Sequence, residues 1–548
     1  MHNFFKFHCI NYLIMMKFEN EHTVRKFMVS KAEEEFHNRY SEAVMDIKSQ
    51  FGRKYTMIID GKNITSAKTF VHTSPLNNRI ILGYFPNANT GHARTAIKAA
   101  KQLFAEKWRK TDYKYRIQIC RAAAAKIADR KFELAAWISY ENGKNRYEAI
   151  ADVDEAIDFI RYYSEEMERN NGFTVETAKA ESNEKSKSVM KPYGVWGVIT
   201  PFNFPAAILI GMSIGALITG NTVVLKPASD TPIIGYLFAK IMKEAGLPAG
   251  ALNLITGSGD IIGKAIVESK DVAGIVFTGL KEVGHQMIKQ YSNKANPRPI
   301  IAEMGGKNPV IVTENADIDK AVEGVLKAAF GYSGQKCSAC SRLYIHRDIK
   351  RVFMERLVHR TKNLPVGNPL EPNVFMGPLI NSKAYNKYQK FSKIAFRDGT
   401  VLVGGTVKDN GDFKYGYYIE PTIVDGLPKN HRLFKEELFV PILCVAEYDE
   451  YKDVLDLCNG SEYGLTAGIY SSNKEEIESF LDNVEAGVIY VNRSTSATTG
   501  AMVGHQSFSG WKASGTTGKG TGGPYYLMQF LREQSQTIAK QIPGQIQV

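Results

Sequence analysis

The stretch that decides the fold is Val195-Trp196-Gly197-Val198-Ile199, whose apolar and small residues predict a buried strand. Three further apolar runs follow it along the chain, at residues 222–225, 251–255 and 274–277. Segments with helical spacing, such as residues 232–245, lie between these runs. Because apolar strands that alternate with helices are typical of a parallel sheet covered on both faces, the sequence predicts an α/β fold.

The same alternation extends beyond this region. A second α/β run begins at Pro309-Val310-Ile311-Val312 and continues to about residue 492. Because 548 residues are too many for a single core, we expect two or more domains, with a boundary near Pro299. The first third of the chain is polar and rich in helical spacing, at residues 93–106, 114–129 and 153–169.

Residues 172–190 differ from their surroundings because they are polar and rich in Thr, Val, Glu, Ser and Lys. They predict an exposed hairpin around Ser182-Asn183-Glu184. We expect this hairpin to project from the body of the protein and to pair with another subunit.

The charge balance excludes one class of partner. A formal charge of +12 comes from 69 basic and 57 acidic residues, and the lysines are scattered along the chain. No basic stretch is interleaved with aromatic residues that could stack on bases, so the sequence predicts a solvated surface and no nucleic-acid partner. No apolar run reaches the ~18 residues that a membrane span requires, so no membrane partner is expected.

The cysteines and the N-terminus bear on location. Six cysteines in so long a chain do not form a disulfide scaffold, which indicates a reducing compartment and a cytoplasmic protein. Residues 1–16 lack the basic start, clean apolar core and cleavage site of a signal peptide. We expect a disordered extension there, or a true start at Met15 or Met16.

One cysteine has the surroundings of a nucleophile. Cys337 lies in Gln335-Lys336-Cys337-Ser338, where polar and small neighbours predict that the thiol faces a cleft. Upstream, Glu303-Met304-Gly305-Gly306-Lys307 supplies a carboxylate that can act as a base. A cysteine nucleophile and a base are what covalent aldehyde oxidation requires.

Two other interpretations of this cysteine are weaker. The spacing Cys337-Ser338-Ala339-Cys340 is also found in redox and zinc motifs. No second Cys pair or Cys/His pair completes a metal site, and the flanking sequence is unlike thioredoxin, so no metal is expected. Cys340 is interpreted as a packing residue.

Asn203 is the third candidate for the chemistry. It lies between prolines in Pro201-Phe202-Asn203-Phe204-Pro205, directly after a predicted strand. An asparagine there is either a turn residue or a rigid amide donor for a developing oxyanion. The presence of Cys337 favours the second interpretation.

Several strand ends carry cofactor signals. Gly257-Ser258-Gly259-Asp260-Ile261-Ile262-Gly263 follows a strand and misses the dinucleotide fingerprint by one residue; alone it is equally a structural turn. Thr278-Gly279-Leu280-Lys281-Glu282-Val283-Gly284 also lies between a strand and a helix, where glycine allows a phosphate to approach free N–H groups. Lys226 ends a third strand and could bind a ribose.

These motifs, in this order and spacing, resemble the aldehyde dehydrogenase superfamily over roughly residues 27–534. The resemblance also rests on Glu436-Glu437-Leu438-Phe439 and Lys226-Pro227-Ala228-Ser229. It implies an aldehyde dehydrogenase fold, with a Rossmann-like cofactor domain, an α/β catalytic domain and a β-hairpin for oligomerisation. The implied boundaries are an extension at 1–26, a cofactor domain at 27–168 and 191–302, a catalytic domain at 303–505, and oligomerisation elements at 169–190 and 506–548.

Within the superfamily the chain looks most like the 1-pyrroline-5-carboxylate dehydrogenases, because of Cys337-Ser338 and Thr499-Gly500-Ala501-Met502-Val503-Gly504. In that subfamily the second stretch is an anchor loop for the α-carboxylate of the substrate. The resemblance therefore implies that the substrate is bound by Phe204, Ser338, Gly500, Ala501 and Phe508.

The resemblance also assigns the other site residues. Cys337 is the nucleophile, Glu303 the base that activates water, and Asn203 an oxyanion donor; a hydride passes to the cofactor and leaves a thioester on the cysteine. The implied cofactor is NAD, bound by Thr200, Pro201, Phe202, Lys226, Ser229, Gly257, Gly259, Thr278, Gly279, Gly284, Glu437 and Phe439.

Some residues depart from the family pattern. Leu280 stands where a serine is usual, and Val440 replaces a glycine. Ser507 and Ser509 interrupt another motif, and Ser229 takes the place of the glutamate of NAD-specific relatives, which leaves NADP open.

The implied reaction is oxidation of L-glutamate γ-semialdehyde to L-glutamate in proline catabolism, with a homo-oligomer and proline dehydrogenase as a pathway partner. The alternatives are a dehydrogenase of another semialdehyde or aliphatic aldehyde, and a catalytically silent structural or binding relative.

Overall fold

The computed structural model describes residues 32–292, 297–494 and 502–540. Its first large sheet has seven strands. In spatial order they are Ile300–Glu303, Val272–Thr278, Val195–Ile199, Thr222–Lys226, Leu252–Leu254, Met57–Ile59 and Lys62–Ile64. The first five are parallel, and the last two form an antiparallel hairpin at the edge.

The strand predicted at 195–199 is confirmed, and every one of its five residues is buried. Two neighbours in the sheet come from later in the chain, on opposite sides of it, so the strand order reverses at Val195–Ile199. Ligands of open parallel sheets bind beside the carboxyl end of a strand at such a reversal. The residues after Ile199 therefore lie where a cofactor is expected.

Helices cover the first sheet. Those of the N-terminal half are Ala32–Lys48, Thr90–Glu106, Tyr113–Asp129, Lys131–Asn142, Arg146–Arg169, Ala207–Ile218, Pro232–Glu244, Lys264–Glu268 and Lys281–Ser292. The helix predicted at 153–169 begins earlier, because the Asn145 side chain accepts a hydrogen bond from the N–H of Glu148 and caps Arg146–Arg169. Ala207–Ile218 is almost entirely buried, as its apolar sequence requires.

The helical interpretation of the first third missed a small sheet. Arg53–Lys54, Asn77–Pro86 and Thr69–Ser74 form three strands, of which the last two are antiparallel. Thr69–Ser74 is mostly polar and only partly buried, so it lacks the apolar run by which the buried strands were recognised.

The second large sheet also has seven strands, in the order Thr400–Val403, Thr422–Asp425, Ile442–Tyr448, Cys340–His346, Asn308–Val312, Thr466–Tyr470 and Val488–Val491. All are parallel except the edge strand Thr400–Val403. Its helices are Ile318–Phe330, Arg347–Lys362, Ser382–Asp398, Arg432–Lys435, Tyr451–Asn459 and Lys474–Asn483. Two short pairs are Val407–Lys408 with Tyr418–Ile419, and Tyr463–Gly464 with Trp511–Lys512.

Residues 304–307 connect the two sheets, between Ile300–Glu303 and Asn308–Val312. Each sheet has its own buried apolar core. The domain boundaries given above, including the division at residue 303, stay predictions.

The hairpin at 172–190 forms, with Thr174–Glu176 antiparallel to Glu184–Pro192. A third strand, Leu531–Ala539, pairs with Glu184–Pro192 over nine residues. Most of Leu531–Ala539 is exposed. The tail is ordered by backbone hydrogen bonds to the hairpin, and burial contributes little.

No helix in the described ranges is long and apolar enough to cross a membrane.

Candidate active site

Cys337 lies in a loop between the helical turn Gly331–Gly334 and the strand Cys340–His346. Tyr332 and Ser333 in that turn adopt positive φ angles of 49° and 54°, which is costly for residues with side chains. Buried hydrogen bonds hold them there: the Tyr332 hydroxyl donates to the Asn142 carbonyl at 3.0 Å, and Ser333 Oγ donates to the Gly377 carbonyl at 2.7 Å. Hydrogen bonds to residues outside the turn therefore fix the backbone that leads into the loop with the thiol.

Glu303 is the last residue of the edge strand of the first sheet. Its Oε2 accepts a hydrogen bond from the backbone N–H of Gly510 at 3.1 Å. The C-terminal segment continues along the same edge, since Met304 N–H donates to the Ser514 carbonyl at 2.8 Å. Burial raises the pKa of Glu303 to about 8, although the Gly510 N–H lowers it.

The thiol and two carboxyl groups share one environment. Burial raises the pKa of Cys337 to about 12, and the negative charges of Glu437 and Glu303 add to that rise. The pKa of Glu437 is raised by burial to about 7, while the Gly306 N–H, which donates to its Oε1 at 3.0 Å, lowers it. Cys337 and Glu303 come from different sheets, so the fold brings the predicted nucleophile and the predicted base together.

Asn203 follows the strand Val195–Ile199 and is 3% exposed. The backbone beside it is fixed, because Asn142 Nδ2 donates to the Phe202 carbonyl at 3.3 Å. The Phe202 ring meets the Phe439 ring edge-on at 5.8 Å between centroids. Two predicted cofactor residues from distant motifs are thus neighbours.

The carboxyl ends of the parallel strands hold buried donors with spare hydrogen-bonding capacity. The Lys226 ammonium is 5% exposed and donates to the Pro227 carbonyl at 3.1 Å, which leaves two of its three protons for a ligand. Burial lowers its pKa to about 8. Thr200 Oγ1 is buried and has no hydrogen-bond partner among the described residues. Both side chains fit hydroxyl or phosphate groups of a dinucleotide.

Two predicted turn glycines have no room for a side chain. A Cβ on Gly279 would come within 2.6 Å of the Phe277 ring, and one on Gly284 within 2.5 Å of the Met304 sulfur. Gly257 has a φ of +141°, a conformation that favours glycine. Gly259 differs, since a Cβ there would meet nothing within 4 Å. Three of these four positions therefore favour glycine because of packing or backbone conformation within the protein.

Ser229 and Leu280 belong to two of the predicted cofactor motifs. Ser229 Oγ donates to the Gly257 carbonyl at 3.2 Å, which ties two predicted cofactor loops together. Leu280 is 58% exposed, an unusual position for a large apolar side chain. Leucine offers no hydrogen bond to a phosphate, so binding there would depend on backbone groups.

The predicted substrate residues are only partly located. Phe204 lies beneath the Lys144 ammonium, 3.6 Å from the ring centroid, and Lys144 pairs with Asp152 at 3.0 Å in a fully buried ion pair. Ser338 is buried beside Cys337, and the backbone of partly exposed Phe508 pairs with Thr521.

Two of the predicted substrate residues belong to the anchor loop. Gly500 and Ala501 lie outside the described residues. Across those residues no group of three or more His, Cys, Asp or Glu side chains could hold a metal.

Sequence reasoning missed the groups that hold these side chains in place. Gly510 binds Glu303, and Asp152 fixes Lys144 while accepting the N–H of Ala207 at 2.8 Å. Asn308 binds the nucleophile loop. Of these only Asn308 carried a signal, since it directly follows the predicted base motif.

The chain is similar to named proteins. The aldehyde dehydrogenase family model matches residues 63–536. A 1-pyrroline-5-carboxylate dehydrogenase of Geobacillus thermodenitrificans is 39% identical over 506 residues, which cover 91% of this chain and 95% of that protein. The structure of 1-pyrroline-5-carboxylate dehydrogenase from Thermus with bound NAD is 35% identical, with a TM-score of 0.87 and coverage of 92% and 96%.

A third relative is longer. The structure of proline utilization A from Bdellovibrio bacteriovorus is 34% identical with a TM-score of 0.88; the match covers 93% of this chain and 52% of that one. Together with the Thermus structure, it confirms the predicted fold class.

The contact of Ser229 with the predicted cofactor loop at Gly257 predicts how the chain discriminates between NADH and NADPH. A Ser229→Glu substitution adds a negative charge that repels a 2′-phosphate, so NADPH binding should weaken by about tenfold or more while NADH binding changes little. Fluorescence titration of both reduced cofactors measures this, with Ser229→Gln as the uncharged control. Equal losses for both cofactors in Ser229→Glu would contradict a role for this position.

Proposed function

The chain belongs to the aldehyde dehydrogenase family, and from that premise we propose that it oxidises L-glutamate γ-semialdehyde, the aldehyde formed from 1-pyrroline-5-carboxylate, to L-glutamate with NAD. The observation that carries the proposal is that Glu303 lies close enough to Cys337 for its charge to act on the thiol. Covalent oxidation of an aldehyde needs both a thiol and a base. The names of the relatives support the substrate, and the NAD-bound Thermus structure supports the cofactor.

Cys337 forms the bond to substrate. Because burial holds the pKa of its thiol near 12, it is protonated at neutral pH and must lose its proton as the sulfur attacks the aldehyde carbon. The charges of Glu437 and Glu303 both act on the thiol, that of Glu437 more strongly. We assign the role of base to Glu303, whose pKa of about 8 suits proton transfer near neutrality. The proton therefore passes to Glu303, directly or through water.

The oxygen of the attacked aldehyde becomes negative. The side-chain amide of Asn203 and the backbone N–H of Cys337 donate to it, and the burial of Asn203 keeps water from competing. NAD, when bound, would accept the hydride that leaves the hemithioacetal carbon, and a thioester would remain on Cys337. Glu303 then takes a proton from water, whose oxygen attacks the thioester and releases the acid.

We propose that the cofactor is held by residues from several strand ends and loops. Lys226 and Glu437 bind the two riboses, and Phe439 packs beside the nicotinamide. Thr200, Pro201 and Phe202 line the wall that follows the central strand. Ser229, Gly257, Gly259, Thr278, Gly279 and Gly284 surround the adenosine and the diphosphate. NADP remains open, because Ser229 carries no charge that would repel a 2′-phosphate.

The substrate is held through its carboxylate. We propose that the Ser338 hydroxyl and the backbone N–H groups of Gly500 and Ala501 bind the α-carboxylate, while Phe204 and Phe508 contact the aliphatic carbons. The buried position of Ser338 beside the nucleophile supports this role. The roles of Gly500 and Ala501 rest on their match to the anchor loop of the subfamily.

The wider context follows from the same premise. We propose a homo-oligomer whose subunits meet through the exposed sheet of Thr174–Glu176, Glu184–Pro192 and Leu531–Ala539, which has a free edge strand. Proline dehydrogenase is the proposed pathway partner, supported by the longer proline utilization A chain. The free cysteines in the described residues support a cytoplasmic location.

Replacing the nucleophile separates chemistry from binding. Cys337→Ala should abolish NADH formation from glutamate semialdehyde, because no thiol remains to attack, while NAD binding stays within about twofold of wild type. Calorimetry measures binding and absorbance at the nicotinamide band measures turnover. Cys340→Ala is the matched control and should remain active. Substantial dehydrogenase activity in Cys337→Ala would remove this residue as the nucleophile.

Replacing the base should slow hydrolysis of the thioester more than hydride transfer. Glu303→Gln is expected to slow the NADH burst, because Glu303 also takes the thiol proton, but to lower the steady rate further, by about 10²-fold or more. Because Glu303 must be ionised to accept a proton and burial raises its pKa to about 8, wild-type steady turnover should rise as pH increases through that value. Rapid mixing over a pH series tests both points. If the steady turnover of Glu303→Gln still rose near pH 8 as in the wild type, the assignment of Glu303 as the base would be contradicted.

The anchor roles predict a substrate-specific loss. Ser338→Ala and Ala501→Leu should lower kcat/KM for glutamate semialdehyde by about tenfold or more, since each weakens binding of the carboxylate, and should affect a neutral aldehyde such as propanal much less. Succinate semialdehyde serves as the competing acidic substrate. Equal losses on acidic and neutral aldehydes would count against carboxylate binding.

A further inference from the structure

Three consecutive carbonyl groups around the nucleophile are held by two side chains. Asn308 Nδ2 donates to the Cys337 carbonyl at 2.7 Å and to the Ala339 carbonyl at 3.0 Å. Thr466 Oγ1 donates to the carbonyl between them, that of Ser338, at 3.2 Å. The loop is thus bound on the side that faces the second sheet.

The two holding side chains are themselves joined. The Thr466 N–H donates to Asn308 Oδ1 at 3.0 Å, so the amide of Asn308 uses both its donors and its acceptor. Asn308 is 3% and Thr466 2% exposed. Each begins a strand of the second sheet, Asn308–Val312 and Thr466–Tyr470 respectively. The sheet therefore fixes the positions of Asn308 and Thr466 independently of the loop.

A hydrogen bond to the carbonyl of a peptide also fixes the direction of the N–H on the opposite side of that peptide. In a trans peptide the C=O and the following N–H point in opposite directions. With the Cys337 carbonyl drawn towards Asn308, the Ser338 N–H points away from the sheet and donates to the Cys337 sulfur, as does the N–H of Cys337 itself.

We propose that Asn308 and Thr466 form a carbonyl clamp that aims the Ser338 N–H at the reacting sulfur. The clamp also holds in place the loop that carries the Cys337 N–H, the donor to the oxygen of the attacked aldehyde. Both are positioning residues, which act on the reaction through the loop. The proposal rests on the role of Cys337 given above.

The surroundings leave the loop no alternative position. A Cβ on Gly306 would lie 2.6 Å from both the Cys337 carbonyl oxygen and Asn308 Oδ1, so the backbone of Gly306 fills the space behind the clamp. The titratable groups that face the sulfur are Glu437 and Glu303, and both oppose thiolate formation. Peptide N–H groups are what favours the thiolate here, which makes their direction important.

The test compares two buried asparagines. Asn253 matches Asn308 in burial and bonding: it is 0% exposed, accepts from the Asp60 N–H at 2.9 Å, and donates to the carbonyls of Gly250 and Val223 at 2.7 and 3.4 Å. It lies in the first sheet, in the strand Leu252–Leu254. Asn253→Ala thus removes a similar structural contact without touching the loop.

Two rate constants are measured on Asn308→Ala, Thr466→Val and Asn253→Ala. One is alkylation of Cys337 by iodoacetamide between about pH 7 and about pH 10, without aldehyde or cofactor, located by peptide mass spectrometry. The other is the NADH burst with glutamate semialdehyde. Thermal unfolding of each full-length variant reports stability separately.

Asn308→Ala should slow alkylation by about tenfold at each pH, since a rise of about one pKa unit removes nine tenths of the thiolate. It should slow the burst by about tenfold or more, because a misdirected N–H no longer stabilises the oxyanion. Thr466→Val keeps its N–H and should show a smaller change in the same direction, about two- to fivefold. Asn253→Ala should lower the unfolding temperature and leave both rates unchanged.

Wild-type rates in Asn308→Ala, with a loss of stability like that of Asn253→Ala, would overturn the proposal. If Asn308→Ala does not fold, Thr466→Val decides, and wild-type alkylation and burst rates in it would overturn the clamp. If the wild-type chain oxidises no aldehyde but alkylation is slower in the clamp variants, the clamp is supported and the proposed function is rejected. Failure of the clamp and failure of the proposed function are therefore distinguishable.

Discussion

Two glycines allow the chain to pass from one sheet to the other within residues 304–307. A Cβ on Gly305 would overlap the carboxylate of Glu437, and one on Gly306 would press on the Cys337 carbonyl. Glu303 ends the strand before this link and Asn308 begins the strand after it. A side chain at either glycine would push apart the base, the nucleophile loop and the Glu437 carboxylate, so the distance between the two halves of the site depends on these glycines.

The close approach has an electrostatic consequence. Burial raises the pKa of Cys337, Glu303 and Glu437, so each acid is held near or above neutrality. Lys307 and Lys387 lower the pKa of Glu437, but they are not what favours the thiolate. The three acids together are therefore largely uncharged before the reaction. During the reaction a proton moves between groups whose pKa values are set by desolvation.

Local chemistry could be predicted from the sequence, and long-range contacts could not. Cys337 and Glu303 carry their own signals in neighbouring polar and glycine residues, and the strand at Val195–Ile199 is an unbroken apolar run. Gly510 binds Glu303 from 207 positions away, because a late segment pairs with the edge of the first sheet. Such pairing depends on where a free strand edge remains after folding, which no local pattern encodes. The strand Thr69–Ser74 was missed for a different reason, because it is mostly polar and only partly buried and so lacks an apolar run.

In the described part of the chain the groups that lower the pKa of the thiol are peptide N–H groups rather than cations, which explains why the loop must be rigid. A lysine or histidine beside sulfur would stabilise a thiolate over a range of orientations, because a full charge acts over several ångströms. A peptide N–H acts only when it points at its acceptor, since the hydrogen bond weakens steeply with angle. Stabilisation by the N–H groups of Cys337 and Ser338 thus requires a fixed peptide plane. The strained turn at Tyr332 and Ser333 on one side of Cys337 and the Asn308–Thr466 pair on the other supply that fixity.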